Sequence, residues 1–309
     1  MNVVLFGGSG QVGVELRRTL APLGRLVVLG RAEADLARPE TVRAVLRGHP
    51  ADVVVNAAAH TAVDRAETEP DLARRINAES VGVMAEEVAA RGGWLVHYST
   101  DYVFAGTKEG GYREEDPTGP LNVYGSTKLA GERLVAASGC RHVIFRTSWV
   151  HAPHGTNFIA TMLRLLAERD ELEVVADQVG APTSARLIAA VTAVAIARLT
   201  DPSRPTPPGG IYHLAADGAT SWHGYAEFIA AVARAAGARV RVAADGIRPI
   251  PSSSRPQAAR RPANSRLDTG RLRGTFDIQV PPWQDDVREV VTTLAAATAA
   301  TRGTARHPT

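Results

Sequence analysis

The sequence predicts an α/β fold: a doubly wound parallel sheet of the Rossmann type, followed by a smaller C-terminal α/β substrate-binding domain. Three observations carry this reading. Short, continuous β-branched runs alternate with longer amphipathic segments through the first half of the chain, as in sheets covered by helices on both faces. A glycine turn follows the first of these runs directly and opens a helix, the context that gives a glycine pattern its meaning. The 309 residues, 45% of them hydrophobic, suffice for one large domain or two modest ones.

The elements follow in order. Residues 3–6 form a buried strand and 14–20 lie in the helix after the turn. A second strand spans 26–29, and residues 39–47 suit a helix with Pro39 at its first position, where a missing N–H costs nothing. A third strand spans 52–56, a long helix 69–91, a fourth strand 94–99, a helix 122–138 and a fifth strand 143–146. The second half reads as helices over 156–169, 184–199 and 222–236 with short strands near 172–176 and 211–214. Prolines make 201–209 a surface loop. Residues 248–266, rich in Pro, Ser and Arg, read equally as a linker or as a substrate-contacting loop. The expected division is a dinucleotide-binding domain over 1–150 and a mainly substrate-binding domain over 151–300, some segments of which return to the first. A flexible tail is expected over 301–309.

Composition narrows the function classes. A net charge of +3 without a basic stripe argues against a nucleic-acid partner. Cys140 is the single cysteine, so no internal disulfide forms and a reducing compartment is expected. No basic leader and no uninterrupted apolar span precede or cross the motifs, which predicts a soluble, cytoplasmic protein without a membrane partner. Only Lys108 and Lys128 among 35 basic side chains are lysine.

Gly7, Gly10 and Gly13 stand in the turn between first strand and helix. Glycine allows the tight turn and close approach to a pyrophosphate, while the helix N-terminus at Gly10, Gln11 and Val12 offers free N–H groups. The second strand ends in Gly30 and Arg31 rather than in an acid. An arginine there favours a 2′-phosphate, so NADPH is the expected coenzyme, with NADH the second choice. Asp35 and Leu36 would flank the adenine. The small residues Ala57 to Ala59 leave room for the coenzyme backbone, and His60 and Thr61 would contact its ribose or phosphates, although His60 fits a structural role equally well.

Tyr124 and Lys128 stand at i and i+4 on one helix face. A phenol titrates near 10 and is a poor acid at neutral pH; a neighbouring ammonium stabilises the phenolate and makes proton donation to a carbonyl oxygen feasible. Lysine, a compact charge with rotatable donors, suits this role and contact with the nicotinamide ribose better than arginine. Thr100 ends the fourth strand, where groups face the ligand crevice, and would bond the substrate carbonyl beside Tyr124. Asp101 would orient a sugar hydroxyl or cap the following turn. Tyr102 and Phe104 read as core.

These motifs resemble the extended short-chain dehydrogenases, and among them the dTDP-4-dehydrorhamnose reductase family, over nearly the whole chain. The resemblance rests on Gly-Gly-Ser-Gly-Gln-Val-Gly at 7–13, Val-Asn-Ala-Ala-Ala-His-Thr-Ala-Val-Asp at 55–64 and Ser-Thr-Asp-Tyr-Val-Phe at 99–104. Pro-Leu-Asn-Val-Tyr-Gly-Ser-Thr-Lys-Leu-Ala-Gly-Glu at 120–132, Phe-Arg-Thr-Ser-Trp-Val at 145–150, Asp-Gln-Val-Gly-Ala-Pro-Thr at 177–183 and Arg-Arg-Pro-Ala-Asn-Ser-Arg-Leu at 260–267 are more specific. It implies reduction of a nucleotide-linked 4-keto-6-deoxy sugar to dTDP-L-rhamnose or a near relative. Thr100, Tyr124 and Lys128 are then catalytic. Gly10, Gln11, Val12, Asp35, Leu36, Ala59, His60 and Thr61 contact coenzyme. Thr100, Asp101 and Trp149 meet the sugar nucleotide, and arginines near Arg260 pair with the diphosphate. Trp149 offers an aromatic face, or packs as core.

Ala105, His151 and Gly30 depart from residues common in relatives. Some members dimerise around magnesium held by glutamates. Glu15 fits that pattern but Arg186 takes the place of a second ligand, so no metal is expected, and the chain is read as a monomer or homodimer. Two alternatives stay open. One is a paralogous 4-ketoreductase such as the dihydrostreptose-forming enzyme. The other is a non-catalytic regulatory subunit like that of methionine adenosyltransferase, against which the intact Thr100, Tyr124 and Lys128 argue.

Overall fold

In the computed structural model, which describes residues 1–304 and side-chain environments as far as 297, the alternation read from sequence becomes a layered sheet. Its first half runs β1 (Asn2–Phe6), α1 (Gln11–Leu20), β2 (Arg25–Leu29), α2 (Pro39–Gly48), β3 (Val53–Asn56), α3 (Val63–Thr68), α4 (Pro70–Arg74), α5 (Ser80–Ala89), β4 (Trp94–Thr100), α6 (Val123–Ala137) and β5 (Arg141–Thr147). The second half follows as β6 (Val150–His151), α7 (Phe158–Glu168), β7 (Leu172–Val175), β8 (Val179–Gly180), β9 (Thr183–Ser184), α8 (Ala185–Thr200) and β10 (Gly210–His213). It ends with β11 (Thr220–Ser221), α9 (Trp222–Ala235), β12 (Ile247–Ile250), α10 (Gly270–Phe276) and α11 (Trp283–Thr304).

Six strands form the central sheet in the order β2-β1-β3-β4-β5-β10, every pair parallel. Leu5, Val55, Val96 and Val143 stand in one row and belong to the core on one face. Val4, Val54, Leu95 and Ile144 belong to the core on the other. Alternate residues thus feed two cores, which is why the strands read as unbroken apolar runs.

The helix expected over 69–91 is interrupted. Pro70 starts a new helix at its first position, and residues 75–79 form a π turn before α5. The turn places the Asn77 side chain inward. It accepts from His60 N at 2.8 Å and donates to His60 O and to Thr127 Oγ1, each at 3.1 Å.

The strand expected near 211–214 is β10, which pairs with β5 at the edge of the central sheet, while α8 packs on α1. The segment 248–266 is neither floppy nor free. Ile247–Ile250 pairs in parallel with β7, and the chain then returns to the first half as a strap. Arg260 O accepts from Asn122 Nδ2, Arg261 pairs with Asp64 at 2.7 Å, and Asn264 Nδ2 donates to Lys108 O and Gly110 O. Residues 301–304 continue α11; the rest of the tail expected over 301–309 lies outside the described residues. No helix of the described residues is long and apolar enough to cross a membrane.

Candidate active site

β1 delivers the glycine turn to the point where strand order reverses between β1 and β3, the place where doubly wound sheets open a ligand crevice. Two of the glycines serve packing. A Cβ on Gly13 would lie 2.0 Å from Gly7 O, and Gly7, at φ +78°, would drive one to 2.6 Å from Ala58 N. Gly10 differs: a Cβ there meets only Gly7 O at 3.5 Å, so its backbone is open to the cleft. It also caps α1 without a side-chain hydrogen bond. The first N–H groups and the helix dipole are left for an anion, and the turn fits a dinucleotide pyrophosphate.

From that turn a cleft of about 600 Å³ runs past Arg31, Asp35, Leu36, Ala57 to Ala59 and Thr61 to Thr100, Asp101, Tyr124, Lys128 and Trp149. Asn122 begins α6 by accepting from Gly125 N at 2.8 Å. A Cβ on Gly125 would lie 2.2 Å from Tyr102 O, so only glycine lets the helix start against the turn after β4. The Tyr124 ring therefore stands over the end of that strand, edge-on to Tyr102 at 5.9 Å.

Burial pushes the Tyr124 phenol up to about 12, eased by its hydrogen bond with Thr100 and reinforced by Asp101. Thr100 Oγ1 donates to Asp101 Oδ1 at 3.0 Å and accepts from Tyr102 N. Burial also lifts Asp101 to about 7, against the pull of Ser265 and Thr100, and its Oδ2 has no hydrogen-bond partner. A buried, unpaired carboxylate oxygen on the cleft wall asks for a donor from a ligand.

Lys128 is held at the base of the cleft. Its Nζ donates to Tyr98 O at 2.5 Å and lies 3.1 Å from His97 Nε2, while burial holds its ammonium down at about 8 despite Glu132. Burial acts most strongly on the phenol, followed by Thr100 and Asp101. The Lys128 nitrogen bonds the backbone near the end of β4, and the residue lines the same cleft as Tyr124. Burial keeps Tyr124 protonated at neutral pH, the form a proton donor needs.

On the coenzyme side, Arg31 is exposed at the cleft rim, and no ion pair engages it among the described residues. The nearby Glu33 is committed to Gly30 N at 2.8 Å. Asp35 folds its carboxylate back onto Ala37 N at 3.0 Å, and Leu36 packs into the core behind it. Three expected residues stand outside the cleft lining. Gly13 packs under the turn. His60 turns its ring to Glu69, 3.6 Å away, because Asn77 fixes its backbone. Arg260 is exposed, while its neighbour Arg261 pairs inward with Asp64.

Trp149 lies in the cleft wall with φ +46°, a conformation non-glycine residues adopt rarely and mostly where function fixes them. Its indole stacks on Trp222 at 3.6 Å and packs so closely that a Cβ on Gly180 would come within 2.6 Å of it. Trp222, Thr147 and Ser99 line the cleft as well and were not read from sequence. Thr147 and Ser99 sit at strand ends, where the rule that located Thr100 also finds them. Trp222 carries no local signal, since only tertiary packing brings α9 over Trp149. Further along α1, Arg186 pairs with Asp286 at 2.8 Å and Glu289 at 2.5 Å in a pocket shared with Glu15. A guanidinium bound to these carboxylates fills the role a cation would have, and the site does not fit magnesium.

Comparison with known proteins shows the family. The family model described as RmlD substrate binding domain matches residues 1–296. A dTDP-4-dehydrorhamnose reductase of Salmonella typhimurium is 47% identical over 96% of this chain and 99% of its own. One from Burkholderia thailandensis is 50% identical over 92% and 96%. The crystal structure of the Bacillus anthracis dTDP-4-dehydrorhamnose reductase in complex with NADP aligns at a TM-score of 0.82 and 33% identity, covering 94% of this chain and 98% of that one. A structure of the Clostridium acetobutylicum enzyme aligns at 0.86 and 32%, over 95% and 99%. The chain belongs to the dTDP-4-dehydrorhamnose reductase family of extended short-chain dehydrogenases.

Proposed function

We propose that the chain reduces the C4 carbonyl of a dTDP-4-keto-6-deoxy sugar, converting dTDP-4-dehydro-L-rhamnose to dTDP-L-rhamnose. The observation that carries this reading is the protonated Tyr124 phenol, bonded to Thr100, in the same cleft as an uncapped helix N-terminus behind a glycine turn. NADPH, when bound, supplies the hydride that C4 accepts. Tyr124 gives its phenolic proton to the carbonyl oxygen as the new C–H bond forms, and Thr100 holds that oxygen within reach. Asp101 offers its free Oδ2 to a sugar hydroxyl, Trp149 gives the sugar nucleotide an aromatic face, and basic residues of the strap near Arg260 approach the diphosphate. In this division of labour residues 1–150 hold the coenzyme, and 151–300 mainly hold the substrate and lend β10 and α8 to the first part. The reaction takes place in the cytoplasm, in a monomer or homodimer, without a metal. The convergence of Thr100, Tyr124 and Lys128 on one cleft supports an enzyme over a non-catalytic subunit.

The test is oxidation of NADPH by purified protein with dTDP-4-dehydro-L-rhamnose, followed by assignment of the product's C4 configuration by NMR. dTDP-L-rhamnose is expected; absence of turnover overturns the reading. The coenzyme assignment has its own check. If Arg31 meets the 2′-phosphate, Arg31→Ala should raise the KM for NADPH about tenfold or more, the effect of one lost charge-assisted bond, and leave that for NADH unchanged. An unaltered NADPH preference removes Arg31 from the site.

A further inference from the structure

Both faces of the Trp149 indole are covered. Trp222 stacks on one, with ring centroids 3.6 Å apart and planes 11° from parallel, so the two rings overlap. Gly180 lies over the other. A Cβ built on it would come to 2.6 Å from Cε2, and to 2.8 and 2.9 Å from Nε1 and Cζ2, the rim atoms bonded to Cε2. A point nearer to a ring-fusion atom than to its rim neighbours lies above the ring plane, not at its edge. It cannot share a face with the overlapping Trp222 ring, so the indole is sandwiched between the two.

The three layers are held unequally. Gly180 is fixed by the pairing of β8 with Thr220 of β11, and its neighbour Val179 bonds Ala263 O through N and Ser265 N through O. Trp149 is fixed by its left-handed backbone at φ +46°, and its carbonyl accepts from Thr183 N. Trp222 is the first residue of α9, and its backbone is set by Ser221, which caps the helix by accepting from Gly224 N at 3.0 Å. Its side chain stands between the coenzyme cleft and a second cavity of about 830 Å³, and lines both. The apolar side of that cavity is made by Phe158, Met162, Leu165 and Val174. Of the three layers, only the Trp222 ring has space beside it to move into.

We propose that Trp222 is a substrate-site residue: in the unliganded protein it occupies the face of Trp149 on which the pyranose of the sugar nucleotide stacks, and it yields that face by turning into the second cavity. The proposal rests on the reductase reading, which brings a 4-keto-6-deoxy sugar to Trp149. Such a sugar lacks the C6 hydroxyl, and the methyl group left there joins the ring C–H groups in an apolar surface. Exchanging the Trp222 ring for this surface keeps the indole face out of water before and after binding. The free energy needed to lift Trp222 is subtracted from the affinity of any ligand that carries the pyranose. A nucleotide without the sugar leaves the stack in place.

The test compares binding of dTDP-L-rhamnose and of dTDP by calorimetry. Trp222→Ala should lower the Kd for dTDP-L-rhamnose about two- to tenfold, the equivalent of one aromatic pair, and leave that for dTDP unchanged. An indole that served only as a wall of the site predicts the opposite sign, a weaker complex. Unchanged or weaker binding of dTDP-L-rhamnose by folded Trp222→Ala overturns the proposal, as does an equal gain for dTDP. A second readout uses the wild type. Its four tryptophans give four 19F resonances in protein labelled with 5-fluorotryptophan, and Trp222→Phe identifies one of them by its loss. On saturation with dTDP-L-rhamnose this resonance should move toward its position in unfolded protein as the ring leaves Trp149, whereas dTDP should leave it in place. A Trp222 signal unmoved by bound dTDP-L-rhamnose overturns the proposal while the substrate reading stands. A protein that binds no dTDP-L-rhamnose overturns the substrate reading and this proposal with it.

Discussion

Tyr124→Phe is expected to lower kcat with dTDP-4-dehydro-L-rhamnose by about 100- to 10,000-fold, the range for removing a positioned proton donor. The substitution deletes one oxygen. The ring keeps its edge-on contact with Tyr102 at 5.9 Å, so thermal stability and the binding of NADPH, followed by fluorescence, should hold near wild-type values. Because burial has already raised the phenol to about 12, the donor stays loaded throughout the neutral range. It deprotonates only as pH approaches that value, so an alkaline loss of reduction nearer pH 8 would report Lys128 rather than Tyr124. Turnover by Tyr124→Phe within a few-fold of wild type would show that another group protonates the carbonyl oxygen. Thr100, the nearest hydroxyl, would then be the first to substitute.

The parts of the site that were legible in the sequence are those whose geometry is local. A strand, a turn that needs glycine and a helix start are neighbours along the chain, so Gly7 to Gly13 revealed both fold and cofactor class. Tyr124 and Lys128 are one helical turn apart, and the end of β4 pointed to Thr100 and Asp101. What stayed hidden depends on partners brought from a distance. His97 gains meaning only when Asn56 from β3 and Lys128 from α6 close on its two nitrogens, and Trp222 only when α9 settles against Trp149. His60 fitted a ligand and a structural role equally; Asn77, in an unforeseen π turn, bonds its backbone, and its ring lies beside Glu69 outside the cleft lining. The Pro- and Ser-rich segment after Ile250 lacked periodicity because part of its backbone bonds to loops of the first half, as in Asn264 N to Gly106 O and Tyr112 N to Arg266 O. The C-terminal α10 and α11 went unread. α11 nonetheless buries Val287, Val290 and Val291 at helical spacing.

Arg146→Met should destabilise the protein by about 3–5 kcal/mol in urea unfolding, the cost of leaving one member of a buried ion pair alone. Arg146 on β5 and Glu132 on α6 are each 3% exposed and joined by two bonds of 2.9 and 2.6 Å. The guanidinium also lies over the Phe104 ring at 5.0 Å and donates to Glu114 O. Without it, Glu132 must either stay charged in a dry site or take up a proton, and both weaken the folded state. The pair itself need not be strongly stabilising, since desolvation offsets much of its attraction. Arg146→Met combined with Glu132→Leu should therefore recover most of the loss, and a double variant as unstable as the single one would show that packing on Phe104, not charge, sets the cost. The single variant also reaches the cofactor cleft, because an unpaired Glu132 one turn from Lys128 would pull that lysine back toward its ammonium. The lysine titration should therefore rise in Arg146→Met and fall to the wild-type value or below in the double variant, which removes the carboxylate.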